Sequence, residues 1–85
     1  MLKIEKTAQT ANRITFGLSG KMSVDHLPAL RRLLTAAQED GKLVTFDLEG
    51  IGLIDRKAVT FFRSGPGARA RLLHCPAFLK EWLAR

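Results

Sequence analysis

LVTFDLEGIGLIDRKAV, residues 43–59, sets a nearly continuous apolar run before a short spacer, then an aspartate before a second apolar group. The run LVTFDL does not alternate, which predicts a strand covered on both faces and ending near Asp47 and Leu48. Asp55 has the chemistry of a helix N-cap, a carboxylate that accepts from amides two or three residues further on. Ala58, Val59, Phe61 and Phe62 then carry a short helix that ends by the SGPG of residues 64–67. A buried strand followed by a helix is the repeating unit of a sheet with crossover connections, so this stretch points to an α/β fold.

The flanking sequence fits that reading. In residues 2–7, LKIEKT, Leu2, Ile4 and Lys6 alternate with Lys3 and Glu5, and in residues 13–19, RITFGLS, Ile14, Phe16 and Leu18 alternate with Thr15 and Gly17. The QTAN of residues 9–12 is a polar turn of hairpin length, so the two strands are expected to pair antiparallel, with Gly20 ending the second. From Ser23 the period lengthens: Leu27, Leu30, Leu33, Leu34 and Ala37 share one helical face, with Arg31, Arg32, Gln38 and Glu39 opposite. Ser23 or Asp25 supplies the cap, Pro28 is tolerated near the start, and Gly41 suits the C-terminal end. Residues 69–74, RARLLH, give a last strand. In CPAFLKEWLAR, residues 75–85, Pro76 opens a helix whose Phe78, Leu79, Trp82 and Leu83 dock on the sheet. The predicted fold is α/β in the order β-β-α-β-α-β-α, a small mixed sheet of about four strands with right-handed crossovers.

Size and charge bound the rest. The 85 residues make one domain, 1–85, and a chain this short buries only about 60–65% of the surface it exposes when unfolded. Trp82 and five phenylalanines supply a core, which excludes intrinsic disorder. The single cysteine, Cys75, excludes an internal disulfide, and neither an export signal nor a membrane-length apolar run is read, so the expected location is the cytoplasm. The net charge of +6 is scattered over every element rather than gathered in a run. That pattern fits a solvated surface better than a nucleic-acid or anionic-lipid site.

With these elements in place, ITFGLSG, the helix after it, LVTFDLEGIGLIDRKAV and RLLHCP together resemble the STAS domain. That fold is shared by bacterial anti-sigma-factor antagonists and the cytoplasmic tails of sulfate transporters. The resemblance spans nearly the whole chain. Its specific part is a strand, Gly20, a helix, FDL, a spacer, and an aspartate opening a helix. Relatives commonly continue beyond the region matching Trp82, so the chain looks like a shortened variant. The resemblance implies a non-catalytic interaction module with a regulatory protein as partner, such as a kinase-like anti-sigma factor. In antagonists, a serine or threonine after the matching aspartate is phosphorylated to release the partner. Here that position is Arg56, followed by Lys57 and Ala58, so the switch is expected to be lost unless it has moved to Thr60 or Ser64. Ser23 stands where many antagonists carry an acidic residue that touches the partner.

Arg56 and Lys57 are the oddity of the stretch. An N-cap such as Asp55 contributes about 1 kcal/mol, and each cation in the first turn opposes the helix dipole by roughly 0.3–1 kcal/mol. Three readings stand: solvated side chains with no role, a basic rim of a docking surface, or capture of an anion or nucleotide at the helix start. The candidate partner-binding residues are Ser23, Asp55, Arg56 and Lys57. No nucleophile motif accompanies His26 or Ser64, and adjacent His74 and Cys75 lack a second ligand pair. The chain is therefore expected to be no enzyme and to hold no cofactor or metal. Cys75 reads as a small buried side chain, Trp82 as a core anchor or an interface residue, and the last strand as an edge that favours a weak homodimer.

Overall fold

The computed structural model describes residues 1–84. Its elements follow the expected order: β1 (Leu2–Gln9), β2 (Arg13–Met22), a single 3₁₀ turn (Val24–His26), α1 (Leu27–Glu39), β3 (Leu43–Ile54), α2 (Arg56–Arg63), a second 3₁₀ turn (Pro66–Arg69), β4 (Arg71–Leu73) and α3 (Ala77–Leu83). The four strands lie side by side in chain order. β1 runs antiparallel to β2 through the hairpin, whereas β2, β3 and β4 are mutually parallel and joined through α1 and α2. This is the predicted mixed α/β sheet.

Each boundary has a local cause. In the hairpin turn, the Thr10 amide donates to the Arg13 carbonyl at 2.8 Å and the Arg13 amide to Thr10 Oγ1 at 3.1 Å. At the far end of α1, the Lys42 amide reaches the Ala37 carbonyl at 2.8 Å and the Gly41 amide the Gln38 carbonyl at 3.0 Å. That pair of bonds requires the left-handed backbone which Gly41 adopts at φ +70°. Pro28, second in α1, removes an amide that has no partner within the helix.

Four elements depart from the expectation at their ends. β2 does not stop at Gly20 but continues to Met22, and β3 does not stop at Leu48 but continues to Ile54. The two extensions hold each other: Ser19 pairs with Gly50, Gly20 with Ile51, Lys21 with Leu53 and Met22 with Ile54. Gly50 makes that possible, because a Cβ there would collide with the Ser19 side chain. β4 is only three residues long, since Arg69 belongs to the preceding 3₁₀ turn and His74 turns away at φ +52°. The first helix likewise starts with a 3₁₀ turn, so its α-helical part begins at Leu27 rather than Ser23.

One face of the sheet carries the core. Phe16, Leu18, Phe46 and Leu48 alternate inward to meet Leu30 and Leu34 of α1, Phe61 and Phe62 of α2, and Leu79 of α3. Phe46 packs edge-on to Phe62, with ring centres 5.6 Å apart. Fully burying a side chain such as Leu79 contributes about 1.5–3 kcal/mol. On the other face Thr45 is buried where Arg13 Nη1 donates to its hydroxyl at 2.7 Å. Further along that face Asp47 is half-buried and Glu49 exposed, so β3 is covered on both sides only over its first part. α3 buries Leu79 and half-buries Leu83, but leaves Phe78 and Trp82 each 40% exposed. Trp82 is therefore no core anchor, because the apolar stripe of α3 is wider than the face that the domain covers. Cys75 is half-buried against the edge of the core, short of the full burial expected of it.

Candidate functional site

The ends of β2 and β3 lie next to each other, and each leads directly into a helix start. The Asp55 amide donates to the Met22 carbonyl at 3.1 Å, closing the sheet at this end. From there the Asp55 carboxylate divides its two oxygens. Oδ1 accepts from the Ala58 amide at 2.8 Å, the N-cap bond anticipated from sequence, and Oδ2 accepts from the Val24 amide at 2.9 Å. One carboxylate thus satisfies an orphan amide in α2 and another in the turn that opens the first helix, 31 residues away in the chain. Of the two expected caps, Ser23 is the N-cap of that turn and forms a capping box with His26, while Asp25 lies within the turn. The Ser23 amide donates to Nδ1 of His26 at 3.0 Å, a bond that requires the ring nitrogen to be an acceptor. His26 is accordingly half-buried and turned to Ser23 rather than to Asp25 or Asp55.

All four predicted partner-binding residues are brought to this end of the sheet. Ser23 and Asp55 are half-buried and form its framework, while Arg56 and Lys57 project as exposed side chains. Among the described residues, ion pairs join only Lys3 to Glu5 and His74 to Asp47 and Glu49, so Arg56 and Lys57 have none. Their charges are presented to solvent. Thr60 is exposed on the next turn, with its hydroxyl donating to the Arg56 carbonyl at 3.1 Å. Ser64 is the residue that ends α2, its amide bonded to the Thr60 carbonyl at 2.9 Å. It stands at a helix end, not on the sharp strand-to-helix turn that exposes a nucleophilic serine.

Two features escaped the sequence reading. A groove between α2 and α3, about 290 Å³ in volume, is lined by Arg56, Val59, Thr60, Arg63 and Trp82. Its α2 residues sit at i, i+3, i+4 and i+7, one face of a helix, so the spacing carried the signal. The second feature is on the open sheet face, where Asp47 Oδ1 accepts from the Glu49 amide at 3.0 Å and lies 3.1 Å from His74 Nδ1. The Glu49 amide holds the Asp47 carboxyl below its ordinary value, and His74 acts in the same direction against the opposing effect of burial. Single donor atoms of Asp47, Glu49 and His74 all lie within 4.8 Å of one another, the set best placed to hold a cation among the described residues. Two of the three are exposed, and Asp47 is already engaged within the set. Cys75, beside His74, is not in this group, and burial pushes its thiol upward despite Lys80 nearby. No described helix is long and apolar enough to cross a membrane. A scan against protein-family models matches none, and no curated protein matches the chain.

Proposed function

We propose that the chain is a non-catalytic, STAS-like interaction module whose regulatory protein partner docks at the paired helix starts, on Ser23, Asp55, Arg56 and Lys57. The observation that carries this is the two-way bond of the Asp55 carboxylate, which ties the starts of both helices together beneath two cations that have no ion pair among the described residues. A surface held in this way meets a partner with little ordering cost. A cytoplasmic partner of the kinase-like anti-sigma type fits the resemblance in sequence. Release by phosphate at the position of Arg56 does not, since a guanidinium accepts no phosphoryl group.

The same bond weighs against capture of a small anion or nucleotide. The Val24 and Ala58 amides, which would face such an anion, already serve the chain's own carboxylate, and its negative charge occupies that end. Nucleic acid or an anionic lipid surface remains the reading favoured only by the net charge of +6. It is separated by salt, because polyanion affinity falls steeply with ionic strength.

The test reverses both charges. Arg56→Glu with Lys57→Glu is expected to abolish partner capture while stability stays level or rises by up to about 1 kcal/mol, as acidic groups suit a helix start. Capture by the double variant at wild-type strength would place the docking surface elsewhere. Intact-mass analysis after incubation with lysate and ATP is expected to find no phosphate on the chain. A phosphate mapped to Thr60 or Ser64 would show instead that a switch operates along α2.

A further inference from the structure

We infer that the groove between α2 and α3 receives an acidic amphipathic segment of the protein partner, one apolar side chain entering against Val59 and Trp82 with carboxylates beside it meeting Arg56. This rests on the docking reading above, since Arg56 belongs to both surfaces, and it adds where the partner's chain runs and what chemistry it carries. The first support is composition. Among the described residues the lining sets the Arg56 guanidinium beside a threonine, a valine and a tryptophan, with Arg63 at its far end. Arginine and tryptophan are the side chains most enriched where interface energy concentrates, and both favour a partner that pairs an apolar group with a planar anion.

The second support is charge. Arg56 has no ion pair among the described residues, and Lys57 beside it extends the positive edge toward the helix starts. A carboxylate arriving here meets a guanidinium able to bind it through two parallel hydrogen bonds. The third is size. At about 290 Å³ the groove falls just below the roughly 300–1,000 Å³ typical of small-molecule pockets, which suits side chains entering from an adjacent surface better than an enclosed ligand. Phe78, one helical turn before Trp82 and equally exposed, extends the apolar strip along α3, so the visiting segment has a second contact beyond the groove.

The experiment selects short random peptides displayed on phage against the intact chain, then follows each enriched peptide by the fluorescence of Trp82, the only tryptophan, and by amide and indole NMR shifts. Enriched peptides are expected to carry Asp or Glu flanking an aliphatic or aromatic residue, and to move the Trp82 indole together with Thr60 and Arg63. Arg56→Gln is expected to weaken them about tenfold, equivalent to about 1.4 kcal/mol. Thr60→Glu, an exposed change that places a like charge in the groove, should weaken them at least as much while leaving the melting temperature in place. Trp82→Ala should also lose binding, and Thr60→Glu keeps the test decisive if that variant unfolds. Peptides that move Ser23, Asp55 and Lys57 but leave Trp82 unshifted would overturn the groove and preserve the docking reading. Enriched peptides without acidic residues would overturn the groove's chemistry, and peptides that perturb neither surface would overturn both. Single-stranded DNA that quenches Trp82 more tightly than any peptide at physiological ionic strength would replace the protein partner with a nucleic acid.

Discussion

Asp47 lies within β3 and Asp55 directly after its end, and both accept a hydrogen bond from a nearby backbone amide, yet they do different work. Asp47 bonds to Glu49, two residues on, and to the His74 side chain, which fixes the direction of its own carboxylate. Asp55 bonds to Ala58 and also to Val24, which joins two segments that meet only in the folded chain. An acceptor satisfied locally orders a side chain, whereas one shared between distant amides ties the architecture together. In a chain of 85 residues, where the stability margin is thin, that distinction should be measurable.

The largest expected effect comes from removing the shared acceptor. Asp55→Ala leaves the Val24 and Ala58 amides without their carboxylate, and urea unfolding should show a loss of about 2 kcal/mol. A loss below about 0.5 kcal/mol, the range of ordinary surface changes, would mean that water replaces the carboxylate and that the two helix starts are not tied. Asp55→Asn sharpens the contrast. The amide keeps one acceptor oxygen, so about half of that loss is expected, and amide exchange should show which of Val24 and Ala58 retains protection.

Asp47→Ala is expected to cost far less, about 0.5 kcal/mol or below, because its partners are exposed and water can take its place. The smallest effect is the pH dependence. The Asp47 carboxyl is held below its ordinary value in the folded chain, so its contribution is complete above the unfolded value of 3.8 and is lost as pH falls through the lower folded value. Asp47→Asn should therefore lower stability slightly at neutral pH, leave it unchanged in acid below the folded value, and so flatten the acid limb of the stability curve. A change of the same size at neutral pH and in acid would show that Asp47 acts through packing rather than through its charge.

The same contrast explains what could be read before the structure. Asp55 as the cap of α2, Gly41 closing α1 and the alternation of β1 and β2 all depend on residues within a few positions of each other, and these were legible. The order of elements followed, and with it the mixed sheet. The second half of β3 was not, because Gly50 and Gly52 look like a spacer until Ser19 to Met22 lie alongside them. Nor was the Asp55 bond to Val24, since nothing local marks an acceptor for an amide 31 residues away. The candidate site divides in the same way: Asp55, Arg56 and Lys57 are neighbours at one cap, whereas Ser23 entered through the resemblance alone and is brought beside them only by the fold. The groove needed α3 to be placed before the stripe of Arg56, Val59, Thr60 and Arg63 gained its fifth member, Trp82. In α3 itself the pattern Phe78, Leu79, Trp82, Leu83 said that one side was apolar, and only packing chose Leu79 as its buried centre.

The brevity of β4 has a kinetic consequence. Only three register pairs, Thr45 with Arg71, Phe46 with Leu72 and Asp47 with Leu73, join it to the sheet, whereas β2 and β3 are paired along almost their whole length. β4 and α3 together therefore form the segment with least to lose on opening, held chiefly by Leu79 and the partial burial of Leu72 and Leu83. When it lifts, the sheet formed by β1, β2 and β3 keeps its pairing while the aromatic cluster of Phe46, Phe61 and Phe62 loses part of its cover. Hydrogen exchange should then divide the chain near Arg69, with amides after it exchanging through a local opening and those of β2 and β3 only through global unfolding. A partner seated between α2 and α3 would close that division, slowing exchange in residues it never touches.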